Sequence, residues 1–423
     1  MKKTLLLVAS LFFGFANAQE VDENGYTTVE IAMQPAYANQ VYFKLSDNTT
    51  NTAPAASWDL AFQKAAGMSI GSIRVNDYRT SAIYEAGATT EWATIDVANE
   101  GDWTQVYNSA TSWDAGAFNE GSAGYGWGEY NLNGDHHVNG TVVFVLKYSA
   151  TNYKKVVIED LNTQTAGGPT YTIKSSTWDG TAWSADVTST VQTPSAASST
   201  TAFTYLSFDS NTTVDVAPVD TAWDFVFSKY DDLVSMGGTS MMYDVTGALS
   251  NNLSVAAVEE AGTIVDFTLP ADDAYTTDIN AIGDKWKSFT GGAYTIPEKT
   301  YYIKTDDDKV YRLFFLSFAG TATGNLSFKY KEVTPTAGIE DFANNSSFAI
   351  YPNPTANKNV TVALNNITEK ATVSVYSITG AKVFETTLTA NAQELNLSTL
   401  NSGIYLVRVE AGNNAEVKRL VIQ

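Results

Sequence analysis

Leu45-Ser46-Asp47-Asn48-Thr49-Thr50, then Pro54, then Trp58-Asp59-Leu60-Ala61-Phe62: this stretch returns later in the chain as Phe208-Asp209-Ser210-Asn211-Thr212-Thr213, Pro218 and Trp223-Asp224-Phe225-Val226-Phe227. The offset between the copies grows by one residue from the Asn pair to the Pro pair, and by one more to the Trp pair. Such slow drift marks single-residue loop insertions in one shared framework. In both copies a polar Asn-Thr turn leads into a run that begins at Trp-Asp and continues with apolar and aromatic residues, as a half-buried strand does.

The later part of each copy agrees. Thr141-Val142-Val143-Phe144-Val145-Leu146-Lys147-Tyr148, a polar turn, and residues 153–161 read as a hairpin. Tyr301-Tyr302-Ile303-Lys304-Thr305, the turn Asp306-Asp307-Asp308-Lys309, and residues 310–318 read as its counterpart. A glycine and an alternating run follow each, at 169–174 and 325–330. Period-two alternation rich in β-branched and aromatic residues predicts an all-β chain. The one stretch of helix-forming composition, Ala256-Ala257-Val258-Glu259-Glu260-Ala261, is short and ends at Gly262. The expected organisation is a β-module over 26–176, a second over 190–333, a linker over 334–347 and a third β-rich unit over 348–423. Between the first two, the Ser/Thr/Ala-rich stretch 185–201 reads as a connector or an edge segment. In the last unit, runs such as 360–364 and 372–376 predict a small Ig-like sandwich.

Composition narrows the function. The 423 residues carry a formal charge of −21 and no cysteine, with 44% hydrophobic and 12% aromatic residues. Stability must then come from apolar burial rather than disulfides. Lys2, Lys3, an apolar run over 5–15 and Ala16-Asn17-Ala18 form the pattern of a signal peptide, residues 1–18. Its removal takes away two lysines and leaves 46 acidic residues against about 23 basic ones, a balance that repels phosphate and excludes nucleic acid as a partner. No segment reaches the ~20 apolar residues of a transmembrane helix.

At the C-terminus, Tyr351-Pro352-Asn353-Pro354, Tyr376-Ser377-Ile378-Thr379-Gly380, Leu400-Asn401-Ser402-Gly403-Ile404-Tyr405 and Lys418-Arg419-Leu420-Val421-Ile422 occur in a fixed order. This series resembles the type A C-terminal sorting domain of the Bacteroidetes type IX secretion system. The resemblance implies recognition by that secretion machinery, with Tyr351, Pro352, Asn353, Pro354, Gly380, Gly403, Tyr405 and Lys418 as its motif residues. It also implies a secreted or outer-membrane-surface location, where the domain is removed and the cargo is released or attached to lipopolysaccharide.

The repeat itself resembles the HmuY-like heme-binding proteins, in the order of strand, Asn-Thr turn, Trp-Asp strand, Gly/Asn-rich loop and Tyr/Val-rich hairpin. That implies two tandem copies of a secreted all-β hemophore fold, with heme held at one end by axial His or Met ligands. The histidines are His136 and His137, adjacent in a loop, and in an extended segment neighbours point to opposite faces, so the pair cannot clamp one heme. The other donors are Met241 and Met242, with Met236 nearby and Met68 at the comparable place in the first copy. A groove of Tyr78, Tyr84, Trp103, Trp113, Tyr125 and Trp127 would suit a porphyrin or a glycan. Trp58 and Trp223 read as core anchors.

Catalytic patterns are sparse. Gly67-Met68-Ser69-Ile70-Gly71 fits a nucleophile elbow in letters only, because that motif needs a strand-to-helix turn. A Ser-His pair would have to use one of the two loop histidines, and Asp306-Asp307-Asp308 lacks the spacing of a calcium loop. The sequence thus describes a secreted, non-enzymatic binding protein with heme as the leading ligand. The other reading is a surface adhesin or glycan-binding repeat protein.

Overall fold

The structure is a computed structural model that describes residues 21–64, 70–195, 199–335, 348–364, 371–390, 392–411 and 414–423. The signal peptide, Met68 with Gly67 and Ser69, and nearly all of the 334–347 linker lie outside the described residues. The chain forms two compact units, Met1–Thr334 and Pro335–Gln423. Both are built of antiparallel strands, with only short 3-10 turns among the described residues.

Within the first unit each expected hairpin is present. Val142–Ser149 pairs with Asn152–Asn162, which pairs with Thr170–Thr177. Thr300–Lys304, Val310–Phe318 and Asn325–Glu332 repeat that meander. What closes each sheet comes from the other copy. Thr27–Ala32, the first strand of the first copy, pairs with Asn325–Glu332 at the end of the second, with Val29 opposite Phe328. Val187–Gln192, the first strand of the second copy, pairs with Thr170–Thr177 at the end of the first, with Ser189 opposite Ile173.

The hairpins built on the Asn-Thr turns trade places in the same way. Asn39–Lys44 and Thr49–Pro54 join Phe225–Met236 and Thr239–Ser250 in one four-stranded sheet. Phe203–Ser207 and Thr212–Val214 join Leu60–Gln63 and Ile73–Val75 in another. The first unit therefore has two lobes, each made of the body of one copy and the N-terminal arm of the other. The first lobe's core takes Val191 and Leu206 from the second copy, and the second lobe's core takes Val29, Ile31, Val41 and Phe43 from the first. Each such side chain, buried in a core of the other copy, contributes about 1.5–3 kcal/mol.

This exchange changes the expected module plan, because neither 26–176 nor 190–333 contains all the strands of its own sheets. The 185–201 stretch holds the edge strand Val187–Gln192 of the first lobe's large sheet. The helix-like stretch begins instead as the strand Ser254–Val258, where pairing with Thr300–Lys304 outweighs helix propensity.

The second unit is a two-sheet sandwich. Phe348–Tyr351, Asn359–Leu364 and Ala392–Asn396 form one sheet, and Lys382–Leu388, Ala371–Ser377, Gly403–Ala411 and Asn414–Ile422 the other. Alternate residues such as Val360, Val362, Val373, Val375, Val407 and Val409 face inward to make its core.

Candidate functional site

The two Trp-Asp pairs stand where the exchanged arms enter. Asp59 is fully buried; its backbone N–H donates to the Leu206 carbonyl and its carboxylate accepts from the Phe208 N–H at 2.7 Å. Asp224 repeats the arrangement, with its N–H on the Phe43 carbonyl and its carboxylate accepting from the Leu45 N–H at 2.7 Å. Each carboxylate thus fastens the arm of the other copy. Each tryptophan is packed edge-on by a tyrosine of that arm, Trp58 by Tyr205 at 5.1 Å and Trp223 by Tyr42 at 5.2 Å. Burial raises the Asp59 carboxyl, while the Phe208 amide, Arg79 and Tyr148 draw it back down.

Between the lobes lies a cavity of about 70 Å³, lined from both sides by Tyr42, Trp58, Arg74, Trp113, Tyr205 and Tyr230 among others. Arg74 closes one wall by donating to the carbonyls of Ser109, Ser112 and Ala115, with its guanidinium 5.0 Å from the Trp113 ring centre. Beside it, Asp77 of the first lobe meets Asp231 of the second. Burial lifts Asp77 to about 6, and burial together with the charges of Asp77 and Asp244 lifts Asp231 to about 7. A larger, polar pocket of about 310 Å³ lies next to Asp224, walled by Lys44, Asp220, Asn251 and the Thr305–Asp307 turn.

The expected iron ligands fall in different lobes. His136 is an exposed turn residue with φ 60°, its Nδ1 3.4 Å from the Tyr130 hydroxyl. His137 turns the other way, placing Nδ1 2.9 Å from Asp160 and 3.9 Å from Asp135. Met241 and Met242 lie on the second lobe, in the outer half of the hairpin Phe225–Met236/Thr239–Ser250. Among the described residues only Phe225 to Phe227 of its inner strand pair with a further strand, so the rest is a two-stranded ribbon. Met241 pairs across it with Val234 and Met242 with Leu233, and successive residues take opposite faces. Neither the His pair nor the Met pair converges on one point, and among the described residues no contact joins the two pairs.

The expected aromatic groove is also divided. Trp127 is wholly buried in the first lobe's core. Tyr84 donates to Glu100 and packs on Trp103. Trp113 donates its indole N–H to the Ser250 carbonyl across the lobe boundary, and with Tyr78 it lines the small inter-lobe cavity. Tyr125 is exposed. Aromatic composition marked these positions, but burial decides among them. Asp160 went unread because it reaches His137 from another strand, 23 residues away.

In the second unit, several of the motif residues form local contacts that hold the sandwich's ends. Asn353 donates to the Arg419 carbonyl and accepts from the Val421 N–H, and Lys418 donates to the Phe348 carbonyl. Tyr405 donates to the Asn401 carbonyl, Gly380 takes φ 86° in the turn after Ser377, and Tyr351 is exposed beside Pro352 and Pro354.

An all-β chain ending in a small sandwich tied together by those residues has the form of an exported cargo with its sorting domain. Residues 349–423 match the secretion system C-terminal sorting domain family, and residues 199–330 match the HmuY protein family. The sorting domain assigns the chain to type IX export to the cell surface or extracellular space. No curated protein matches the chain. Among solved structures, apo PinO of Porphyromonas gingivitis overlaps it at TM-score 0.28 and 11% identity, covering 73% of this chain and 96% of that one. PorZ, a surface component of the type IX secretion system of Porphyromonas gingivalis, overlaps at TM-score 0.17 and 11% identity, covering 98% of this chain and 61% of its own. At those TM-scores neither overlap carries a structural argument.

Proposed function

We propose that the protein is a secreted, non-enzymatic binding protein whose ligand is heme, held by the second lobe. The observation that carries this reading is the HmuY match over residues 199–330, which includes the ribbon bearing Met241 and Met242. Met241 and Tyr243 are exposed on one face of that ribbon and Leu233 on the other. A thioether on an exposed apolar face is a suitable axial donor for heme iron. The inter-lobe cavity, at about 70 Å³, is far below the ~300–1,000 Å³ of a ligand pocket, and the pocket of about 310 Å³ beside Asp224 is lined by no methionine or histidine, so a porphyrin would lie against the ribbon. On this reading the C-terminal unit serves transport only, and the remainder is released or joined to lipopolysaccharide.

The test is a hemin titration of the chain lacking residues 1–18. A saturable Soret shift at micromolar hemin, weakened at least about tenfold by Met241→Ala or Met242→Ala and unchanged by His136→Ala, is the expected result. No Soret shift, or one indifferent to both methionine variants, would sink the reading. Retention on a polysaccharide array without a Soret shift would favour the glycan-binding alternative.

A further inference from the structure

We infer that Asp135, His137 and Asp160 form a binding site for one first-row divalent cation of the zinc class. Their donor atoms all lie within 4.8 Å of one another. They come from two places, Asp135 and His137 from the turn before Val138–Gly140 and Asp160 from Asn152–Asn162.

The sheet itself brings them together. Asp160 stands opposite Asn139 in the ladder, which makes His137 its diagonal neighbour on the same face. A bulge between Ile158 and Asp160 sets that orientation, since the register against Thr170–Thr177 slips by one residue there. The first-lobe ladder would otherwise place the residue at Asp160 one step out of phase.

Charge supports a cation. Neither carboxylate has a lysine or arginine partner among the described residues, so two acids face one imidazole with no permanent cation beside them. Outer groups hold the donors in place. Asn131 Nδ2 donates to Asp135 Oδ1 at 3.1 Å, and the His137 backbone N–H donates to the same oxygen at 3.1 Å. Partners of this kind orient metal ligands and raise affinity.

Chemistry selects the ion. Calcium and magnesium take oxygen donors, whereas an imidazole nitrogen with carboxylates suits zinc, cobalt or nickel. Nδ1 is the ring nitrogen facing both acids, so it is the ligating atom, and binding requires it unprotonated. Three protein ligands leave a position for water. The side chains of His137 and Asp160 are 20% and 30% exposed, which leaves the ion a path in. His136, on the opposite side of the turn, takes no part.

The experiment is calorimetric titration of Zn²⁺ into the metal-free chain lacking residues 1–18, repeated with Co²⁺ to follow its visible absorption. One saturable site is expected, weakened at least about tenfold by His137→Gln and by Asp160→Asn, and unchanged by His136→Gln. His137→Gln sits in a surface turn and keeps the fold testable should Asp160→Asn not fold. Absence of a saturable site, a preference for Ca²⁺ over Zn²⁺, or affinity indifferent to His137→Gln overturns the inference. It does not depend on heme binding, because the methionine variants leave this site intact.

Discussion

Asp59 and Asp224 occupy the same point in two copies of one frame, yet their charges are met from different directions. At Asp59 the cation is Arg79 of the same copy, 3.2 Å away, with the Tyr148 hydroxyl at 2.8 Å. To the carboxylate the exchanged arm brings the Phe208 amide, its Asp209 shares Arg79 at 2.9 Å, and the residue before Phe208 is Ser207. At Asp224 the cation is Lys44, 2.7 Å away, carried in by the exchanged arm itself. Asn76 and Asn251 show the correspondence. Each donates its backbone N–H to the aspartate's carbonyl and its side chain to the carbonyl of the tryptophan before it. Counting on equally from each asparagine reaches Arg79 in one copy and Ser254 in the other. The frame therefore fixes where the carboxylate stands and leaves the source of the opposing charge open. One lobe neutralises its aspartate internally, and the other relies on the partner copy to do so.

The comparison breaks most completely if the copies are separated. Residues 26–176 expressed alone would lose Val191 and Leu206 from their core and present open sheet edges. They should give no cooperative urea transition, whereas residues 21–334 should give one. A cooperative transition from 26–176 alone would show that the exchange is not needed.

A smaller effect separates the two aspartates. Asp59→Ala strands the buried Phe208 amide and the Tyr148 hydroxyl, while Arg79 keeps Asp209, and should cost about 3–5 kcal/mol in urea unfolding. Asp224→Ala strands the Leu45 amide and the Lys44 ammonium, which is partly exposed and can turn to water, and should cost about 2–3 kcal/mol. If the frame is indifferent to the direction of the charge, Ser207→Lys should recover part of the loss in Arg79→Ser. No recovery would mean that direction matters after all.

The smallest effect concerns the contact between the lobes. Asp77 and Asp231 have carboxyls raised in the folded state, so they favour folding when protonated. That contribution is present below about pH 4 and is lost as pH rises through about 6 to 7. Thermal unfolding at pH 5 and pH 8 should show the gain at lower pH, and Asp231→Asn should reduce the difference by about 1 kcal/mol after solvent screening. An unchanged difference would remove these groups as its source.

Much of the architecture was legible in the sequence because hairpins are local. The alternation in 153–161 and 310–318, the glycines after them and the polar turns between strands each specify a feature within a few residues. The exchange was not legible. Thr27–Ala32 and Val187–Gln192 carry similar alternation, and nothing local states which of two alike sheets each should close. The site divided along the same line. His137 was found from its loop, whereas Asp160 and the bulge that aims it belong to a ladder that only the fold assembles. Trp127 and Tyr125 read alike as aromatic, and one is core while the other is surface. Ala256-Ala257-Val258 favoured a helix in isolation and gave way to a cross-strand partner.

The pairing of Thr27–Ala32 with Asn325–Glu332 also sets an order in time. The first strand of the fold to emerge from synthesis waits for almost the last before its edge is covered. Contacts so far apart in the chain slow folding, because loop closure must precede the packing that rewards it. Until residue 325 arrives, the second lobe lacks its closing strands and Val29 and Ile31 have no core to enter. Folding of the first unit is thus a late event, completed only when the segment next to the sorting domain has been made.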